Sequence, residues 1–331
     1  MPETLDVGRM PAGVAGLGLM GASITACLLS AGHPVTGVEK DAGQRSTARR
    51  RIAALLRKMS QENLLHSPVD EAMQRFRTTG DVTELGESEI VIESISENGA
   101  QKQKLIESIE GSVGRHVPIG CNTSAIPISI LQKETRHPRR ILGIHWAEPA
   151  HTTRFLEVIC GNDTSPAVAR RVLALSRRWG KEPTFLRRDI RGFITNRCFY
   201  ALIREALYLV ENGYATVADV DRSLRNDLGY WITFAGPFRF MDLTGLPAYA
   251  AVAKDLFPEL SNTTEVPPTL KRLAQSGAKG VSNARGFYKY RDGQAERWEK
   301  LFLDFSYRIR TLAQEYPEDI GDRPASRRRK P

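Results

Sequence analysis

Cysteine is scarce in this chain: 331 residues hold four, Cys27, Cys121, Cys160 and Cys198. They are scattered, with no C-x-x-C spacing. That argues against a disulfide framework and against a zinc site, and it fits a reducing cytoplasm. Long apolar runs are missing too. No stretch approaches the roughly 20 uninterrupted apolar residues that span a bilayer, so no membrane segment is expected. The N-terminus lacks a basic stretch followed by a long apolar core, so no secretory signal is expected. No internal repeat or low-complexity stretch stands out. What remains is ordinary for a soluble globular protein: 41% hydrophobic and 26% charged residues, with length enough for two domains that each have a core.

The net charge is +9, and the run Arg327-Arg328-Arg329-Lys330 supplies four of those charges, leaving +5 on the body. The run follows Gly321, Pro324 and Ala325-Ser326, so a disordered tail is expected over 319–331. A basic arm for nucleic acid is one reading and a solvated terminus the other. Short charge runs are unspecific, so the second is preferred and no nucleic-acid partner is expected. A modest positive surplus would also help gather an anionic substrate or cofactor.

Residues 12–15 read as a short apolar strand running into Gly16-Leu17-Gly18-Leu19-Met20-Gly21. A buried helix over 22–29 follows and stops at Gly32, then a second strand over 35–39. A lone G-x-G-x-x-G is weak, but here it lies between a strand and a helix, with acidic Glu39 closing the next strand. Gly16 permits the tight turn, Gly18 lets the backbone approach a pyrophosphate, and Gly21 lets the helix pack close to the sheet. The helix N-terminus faces the phosphates with its unpaired N–H groups, and Leu19 and Met20 of the loop are expected at the same cofactor site. Glu39 accepts hydrogen bonds from ribose hydroxyls and repels a 2′-phosphate, so NAD is favoured over NADP. Lys40 beside it weakens that preference slightly.

Further along, the spacing predicts a basic helix over 45–59, a strand over 89–93, a helix over 100–109, strands over 117–121, 141–145 and 155–160, and a helix over 168–179. Strands alternating with helices predict a parallel, doubly wound Rossmann-type sheet, with all strand C-termini on one edge where ligands bind. From Phe193 onward the periodicity is helical only, with Thr216 and Asp219 resembling a capping box. The expected organisation is α/β followed by all-α: a cofactor domain over 1–188, a helical substrate and dimerisation domain over 189–318, and the tail.

His145 closes a predicted strand on the ligand edge, and Glu157 follows on a strand that could lie beside it. A carboxylate bonded to one ring nitrogen fixes the tautomer and raises the basicity of the other. That is what a base removing an alcohol proton needs.

These residues resemble the 3-hydroxyacyl-CoA dehydrogenase family over roughly residues 10–295. The resemblance rests on ordered motifs: the glycine fingerprint, Ile90 to Glu97 with Lys102, Cys121-Asn122-Thr123-Ser124, Gly143-Ile144-His145, Pro149, Glu157-Val158, Gly192-Phe193-Ile194-Thr195-Asn196-Arg197, Gly236-Pro237-Phe238 with Asp242, and Gly286-Phe287-Tyr288. It implies that His145 is general base in oxidation and general acid in reduction, and that Glu157 orients it. Ser124 and Asn196 would hydrogen-bond the reacting oxygen and hold the substrate against the nicotinamide. Glu97 and Lys102 would line the cofactor site, together with Ser124 and Glu148. The resemblance further implies a helical C-terminal domain that closes over the cofactor and forms a homodimer interface.

The departures bear on the substrate. The family expects Asn three residues after the histidine, where this chain has Glu148. An ionised Glu cannot donate as Asn does. Pointing inward, Glu148 would favour an imidazolium or a substrate carrying a donor or positive charge; pointing outward, the change is bland. The positions that hold CoA in the acyl-CoA enzymes are Leu55 and Glu62 here, and a lysine expected before Gly286 is Ser282. Lys58, Arg57 or the Arg49–Arg51 cluster could substitute, or form a solvated helix face. The aromatic run Tyr230-Trp231-Ile232-Thr233-Phe234 could floor a compact pocket or fill a core. Relatives such as L-gulonate and L-carnitine dehydrogenases use the scaffold without CoA, and the missing positions favour that branch. The resulting expectation is an NAD-dependent dehydrogenase acting on a small 3-hydroxy acid or acyl thioester. A non-catalytic NAD(H)-binding sensor or structural protein is the alternative.

Overall fold

The computed structural model describes residues 10–291 and 293–316; the leader and the basic tail lie outside the described residues. Contacts divide the chain into two compact units, 1–197 and 198–331.

The first unit runs β1 (Ala12–Ala15), α1 (Leu19–Ser30), β2 (Val35–Val38), α2 (Ala42–Gln61), α3 (Val69–Gln74), β3 (Phe76–Thr79), β4 (Ile90–Glu93), α4 (Gly99–Ser112), β5 (Ile119–Cys121), α5 (Ile128–Gln132), β6 (Ile141–His145), β7 (Phe155–Cys160), α6 (Pro166–Arg178), β8 (Glu182–Leu186) and the start of α7 (Thr195–Glu211). Eight strands form one sheet in the order β3-β2-β1-β4-β5-β6-β7-β8. The central strands are buried on both faces, as a sheet covered by helices requires, and apolar apart from Glu93 and His145 at the ends of β4 and β6. Two apolar clusters fill those faces, one under α1, α2 and α6, the other under α4 and α5.

The sheet is not wholly parallel, which corrects the expectation of one edge gathering every strand C-terminus. β6 and β7 pair antiparallel, and β8 then runs parallel to β7. The reason is the connection 146–154, which contains no helix and is too short for a parallel crossover. Residues 161–181 contain α6 and do make a crossover.

Helix ends also lie further out than the periodicity implies. α2 begins at Ala42 because Asp41 caps it, its carboxylate accepting from Gln44 N at 2.6 Å. The short elements α3, β3, α5 and β8 have no clear periodic signal. β3 and β8 are the sheet's edges, where charged residues and Pro183 are tolerated.

The second unit continues α7 and adds α8 (Val217–Asn226), α9 (Leu228–Ile232), α10 (Gly236–Thr244), α11 (Leu246–Leu256), α12 (Pro268–Gln275) and α13 (Gln294–Glu315). Thr216 caps α8, its hydroxyl accepting from Asp219 N at 3.2 Å. Large apolar side chains in this unit are mostly exposed, among them Phe238, Tyr230, Phe257 and Phe305. Among the described residues no helix is long and apolar enough to cross a membrane.

Candidate active site

The glycine turn leaves β1 at Gly16, whose φ of +96° only glycine adopts freely, and a Cβ there would lie 2.7 Å from Ser94 O. A Cβ on Gly21 would come within 1.8 Å of Gly16 O, so α1 packs against the turn only because this position is bare. Gly18 is different: a Cβ there meets nothing within 4 Å. The space above it is open, and no side chain caps α1. The first-turn N–H groups at Leu19 and Met20 are left for an external anion. This fits a dinucleotide pyrophosphate.

Glu39 stands just after β2 on the wall of an open cleft of about 680 Å³, shared with Gly16, Val38, Asp81, Gln101 and Lys104. Its carboxylate accepts from the N–H groups of Leu17 and Asp41, both at 3.3 Å. It is thereby aimed into the cleft where a ribose diol would lie. Arg45 holds this turn, donating to Glu39 O at 2.6 Å and Lys40 O at 2.9 Å. Neither Arg45 nor Lys104 could be singled out from the other basic residues of α2 and α4 by sequence.

Lys102 corrects an expectation: it is fully buried and does not line the cleft. Its ammonium donates to both carboxylate oxygens of Glu93, at 2.9 and 3.0 Å, and to Ile95 O and Asn122 O at 3.2 and 2.9 Å. Burial raises the pKa of Glu93, and Lys102 opposes that shift. Burial also pushes the neighbouring Cys121 thiol well up, as in a structural rather than a reactive cysteine.

Glu97 anchors the loop that carries Ser124. Its Oε1 accepts from Thr123 Oγ1 at 2.6 Å, Ser124 N at 3.0 Å and Ala125 N at 3.1 Å. Asn122 ties the same loop to the end of β6: its Oδ1 accepts from Trp146 N at 3.2 Å.

His145 and Glu157 are direct cross-strand partners in the β6–β7 pair. His145 Nδ1 and Glu157 Oε2 are 2.8 Å apart. The antiparallel turn thus does what a parallel strand could not, returning a carboxylate beside the histidine after twelve residues. Glu157 is fully buried and His145 nearly so. The imidazole is flanked by Phe155 and Phe193, with ring centroids 5.4 and 5.6 Å away. Its Nε2 has no protein partner among the described residues. Glu157 Oε1 accepts from Ile194 N and Thr195 N, both at 3.1 Å. Next to Thr195, Asn196 Nδ2 donates to Ser124 O at 2.8 Å. A continuous chain of bonds therefore joins Ser124, Asn196, Glu157 and His145, the four residues expected to act together.

Glu148 lies exposed on the loop after β6. Crowding by the surrounding protein raises its pKa, and the charge opposing that is Arg51 on α2. Leu55 packs against the core and Glu62 pairs with Lys58 at 3.3 Å, so neither offers a contact to a phosphate.

A buried cluster behind the site holds the loop 146–154. Lys181 donates to Ala150 O and Thr153 O, and its ammonium sits 5.1 Å from the Trp146 ring. Trp146 stacks on Trp179, whose Nε1 donates to His33 Nε2 at 2.9 Å. His151 Nδ1 and Ser23 Oγ are 3.1 Å apart. Among the described residues no group of three or more His, Cys, Asp or Glu could hold a metal ion.

Residues 11–190 match the NAD-binding domain of 3-hydroxyacyl-CoA dehydrogenases, and residues 192–290 match their C-terminal domain. The chain is 31% identical over 294 residues to 5-formyl-3-hydroxy-2-methylpyridine 4-carboxylate 5-dehydrogenase of Mesorhizobium japonicum, covering 87% of this chain and 94% of that protein. It is 30% identical over 281 residues to 3-hydroxybutyryl-CoA dehydrogenase of Mycobacterium tuberculosis, covering 84% and 97%. A solved 5-formyl-3-hydroxy-2-methylpyridine 4-carboxylic acid 5-dehydrogenase, described as an NAD+-dependent dismutase, superposes with a TM-score of 0.87 at 28% identity, over 93% of this chain and 99% of that one. The (S)-3-hydroxybutyryl-CoA dehydrogenase of Ralstonia eutropha gives 0.71 at 27% identity, over 86% and 100%.

Proposed function

The chain belongs to the 3-hydroxyacyl-CoA dehydrogenase family of NAD-dependent oxidoreductases acting on CH–OH groups, and from that premise we propose that it interconverts a small 3-hydroxy acid and its 3-keto product without CoA. The observation that carries the mechanism is the 2.8 Å Nδ1–Oε2 bond, which leaves His145 Nε2 as the one ring position free to exchange a proton with substrate. In oxidation His145 Nε2 takes the hydroxyl proton, and Glu157 stabilises the resulting imidazolium. In reduction the same nitrogen returns it. Bound NAD accepts or supplies the hydride. Ser124 and Asn196 hold the reacting oxygen, and Glu97 fixes the loop that presents Ser124. Glu39 reads the ribose.

The CoA-free reading is supported by Leu55, partly buried against the core, and by Glu62, engaged by Lys58. It is supported further by the likeness to a dehydrogenase whose named substrate is a pyridine carboxylate. We assign the cofactor domain to 1–188 and the substrate and dimerisation domain to 189–318, working as a cytoplasmic homodimer. The exposed apolar side chains of the helical unit suit a second copy.

The test is NADH oxidation with acetoacetyl-CoA beside NAD reduction with free gulonate, carnitine and 3-hydroxybutyrate. Turnover on a free acid alone is expected. Turnover on the thioester alone would overturn the CoA-free reading, and silence on both with tight NADH binding would favour a binding-only protein.

A further inference from the structure

We propose that the turn Gly192–Thr195 is a positioning element for the proton relay, Phe193 and the main-chain amides of Ile194 and Thr195 acting through Glu157 on His145. This rests on the reading of His145 as the base.

Gly192 and Phe193 are consecutive left-handed residues, with φ of +80° and +51°. Glycine adopts that conformation freely, but a bulky aromatic residue does not, and such outliers persist where the surroundings impose them. Here the ring is 1% exposed, belongs to the apolar cluster under α4 and α5, and packs on the His145 imidazole. The main chain is pinned as well: Phe193 N donates to Ile190 O at 3.0 Å, and Arg197 N donates to Gly192 O at 3.2 Å. The effect is to aim two successive N–H groups at one oxygen, Glu157 Oε1, at 3.1 Å each. Successive amides in such a turn form an anion-binding nest, and the start of the long helix α7 adds its positive end.

The base feels this in two ways. The nest fixes the plane of the carboxylate, so that Oε2 meets Nδ1. It also draws part of the carboxylate's charge toward the amides, leaving less to stabilise an imidazolium. Weakening the nest therefore strengthens the hold of His145 on its proton.

No other charged side chain bonds to the pair among the described residues. The loop after β6 brings Glu148, and the loop after β4 brings Glu97. β8 places Thr184 opposite Glu157 and Glu182 at its head, where Arg154 takes the carboxylate. Asp189 accepts from Ser129 N, and Arg197 donates to Arg191 O. All of these remain when the turn is altered.

The test uses the full-length protein and the acid limb of the pH profile of kcat/KM for alcohol oxidation. Thr195→Pro removes one amide donor at the first position of α7, where proline is tolerated. Phe193→Gly keeps the left-handed turn but removes the ring and its exclusion of water from His145. Both should retain NADH binding within a few-fold. Both should move the acid limb upward, by roughly half to one pH unit for Thr195→Pro, as expected for loss of a donor to a charged group. Thr195→Val, which removes only the hydroxyl 3.5 Å from Oε1, should leave the limb in place. Lower turnover with an unmoved limb in both variants would make the turn merely structural and overturn the proposal. Should Thr195→Pro lose NADH binding, the limb of Phe193→Gly decides by itself. A flat profile in the unaltered protein would instead refute His145 as the base.

Discussion

Two buried carboxylates, Glu93 at the end of β4 and Glu157 in β7, show how one chemical group serves two ends. Both are fully buried, and both face a basic side chain within 3 Å. Around Glu93 the arrangement is closed. Lys102 commits its ammonium to Glu93, Ile95 O and Asn122 O, with Glu97 a further carboxylate at 3.8 Å. Around Glu157 the arrangement is open on one side. Its oxygens are taken by Nδ1 and by two amides, but the imidazole it orients keeps Nε2 unpaired among the described residues. A closed buried pair fixes the fold; a pair with one free nitrogen can exchange a proton. Asn122 links the two, its carbonyl oxygen bonded to Lys102 and its side chain to Trp146 N.

The comparison breaks most visibly at the open pair. His145→Ala should lower turnover by about 10³- to 10⁴-fold, the upper range for loss of a positioned general acid–base. NADH binding should stay within a few-fold, because Gly18 and Glu39 lie at the other end of the sheet's ligand edge. Titration of NADH fluorescence beside steady-state kinetics separates the two effects. Collapse of both together would mean that the open pair is as structural as the closed one.

At the closed pair the loss should appear in stability. Lys102→Met leaves Glu93 buried without its cation and should cost about 3–5 kcal/mol in denaturant unfolding, the range for breaking a buried ion pair. Replacing both partners, as in Lys102→Met with Glu93→Gln, should recover much of that loss, since no uncompensated charge remains. A single variant as stable as the parent would show that Lys102 is not the closure described. A double variant no better than the single would place the cost in the bonds to Ile95 O and Asn122 O instead.

Much of this was legible in the sequence where chemistry is local. Gly16, Gly18 and Gly21 declare their roles by spacing, and Glu39 by its place after a strand. Glu157 was legible as a possible neighbour of His145. The actual pairing depends on β7 turning back, and the shortness of 146–154 was the available sign. The burial of Lys102 was not legible, because a lysine in a motif carries no mark of burial; Glu93 and Ile95 are near it in sequence, but Asn122 O reaches it only through the pairing of β5 with β4. Phe193 was legible as part of a motif but not as a left-handed residue, because side-chain identity argues against that backbone. The short edge strands β3 and β8 lack a period long enough to read, and Pro183 reads as a breaker until the edge position is known.

His151 offers a third buried ionisable group against which the other two can be sharpened. It lies behind the site, near Ser23 and Lys181, and carries no role in the proposed chemistry. Burial first, and Lys181 second, lower its pKa from 6.5 to about 4. A base whose folded pKa is depressed is neutral in the native protein and takes its proton more readily once unfolded. Its share of stability is therefore complete above pH 6.5 and is lost as pH falls toward 4. The loss reaches at most about 3.5 kcal/mol, because a tenfold change in proton affinity is worth about 1.4 kcal/mol. Carboxylates throughout the chain titrate in the lower part of the same window, so the contribution must be read as a difference. The gap in melting temperature between the parent and His151→Gln should narrow steadily from pH 7 to pH 4. A gap that stays constant would show that His151 does not exchange its proton on unfolding. Its place in the fold would then rest on fixed bonds such as that to Ser23 Oγ.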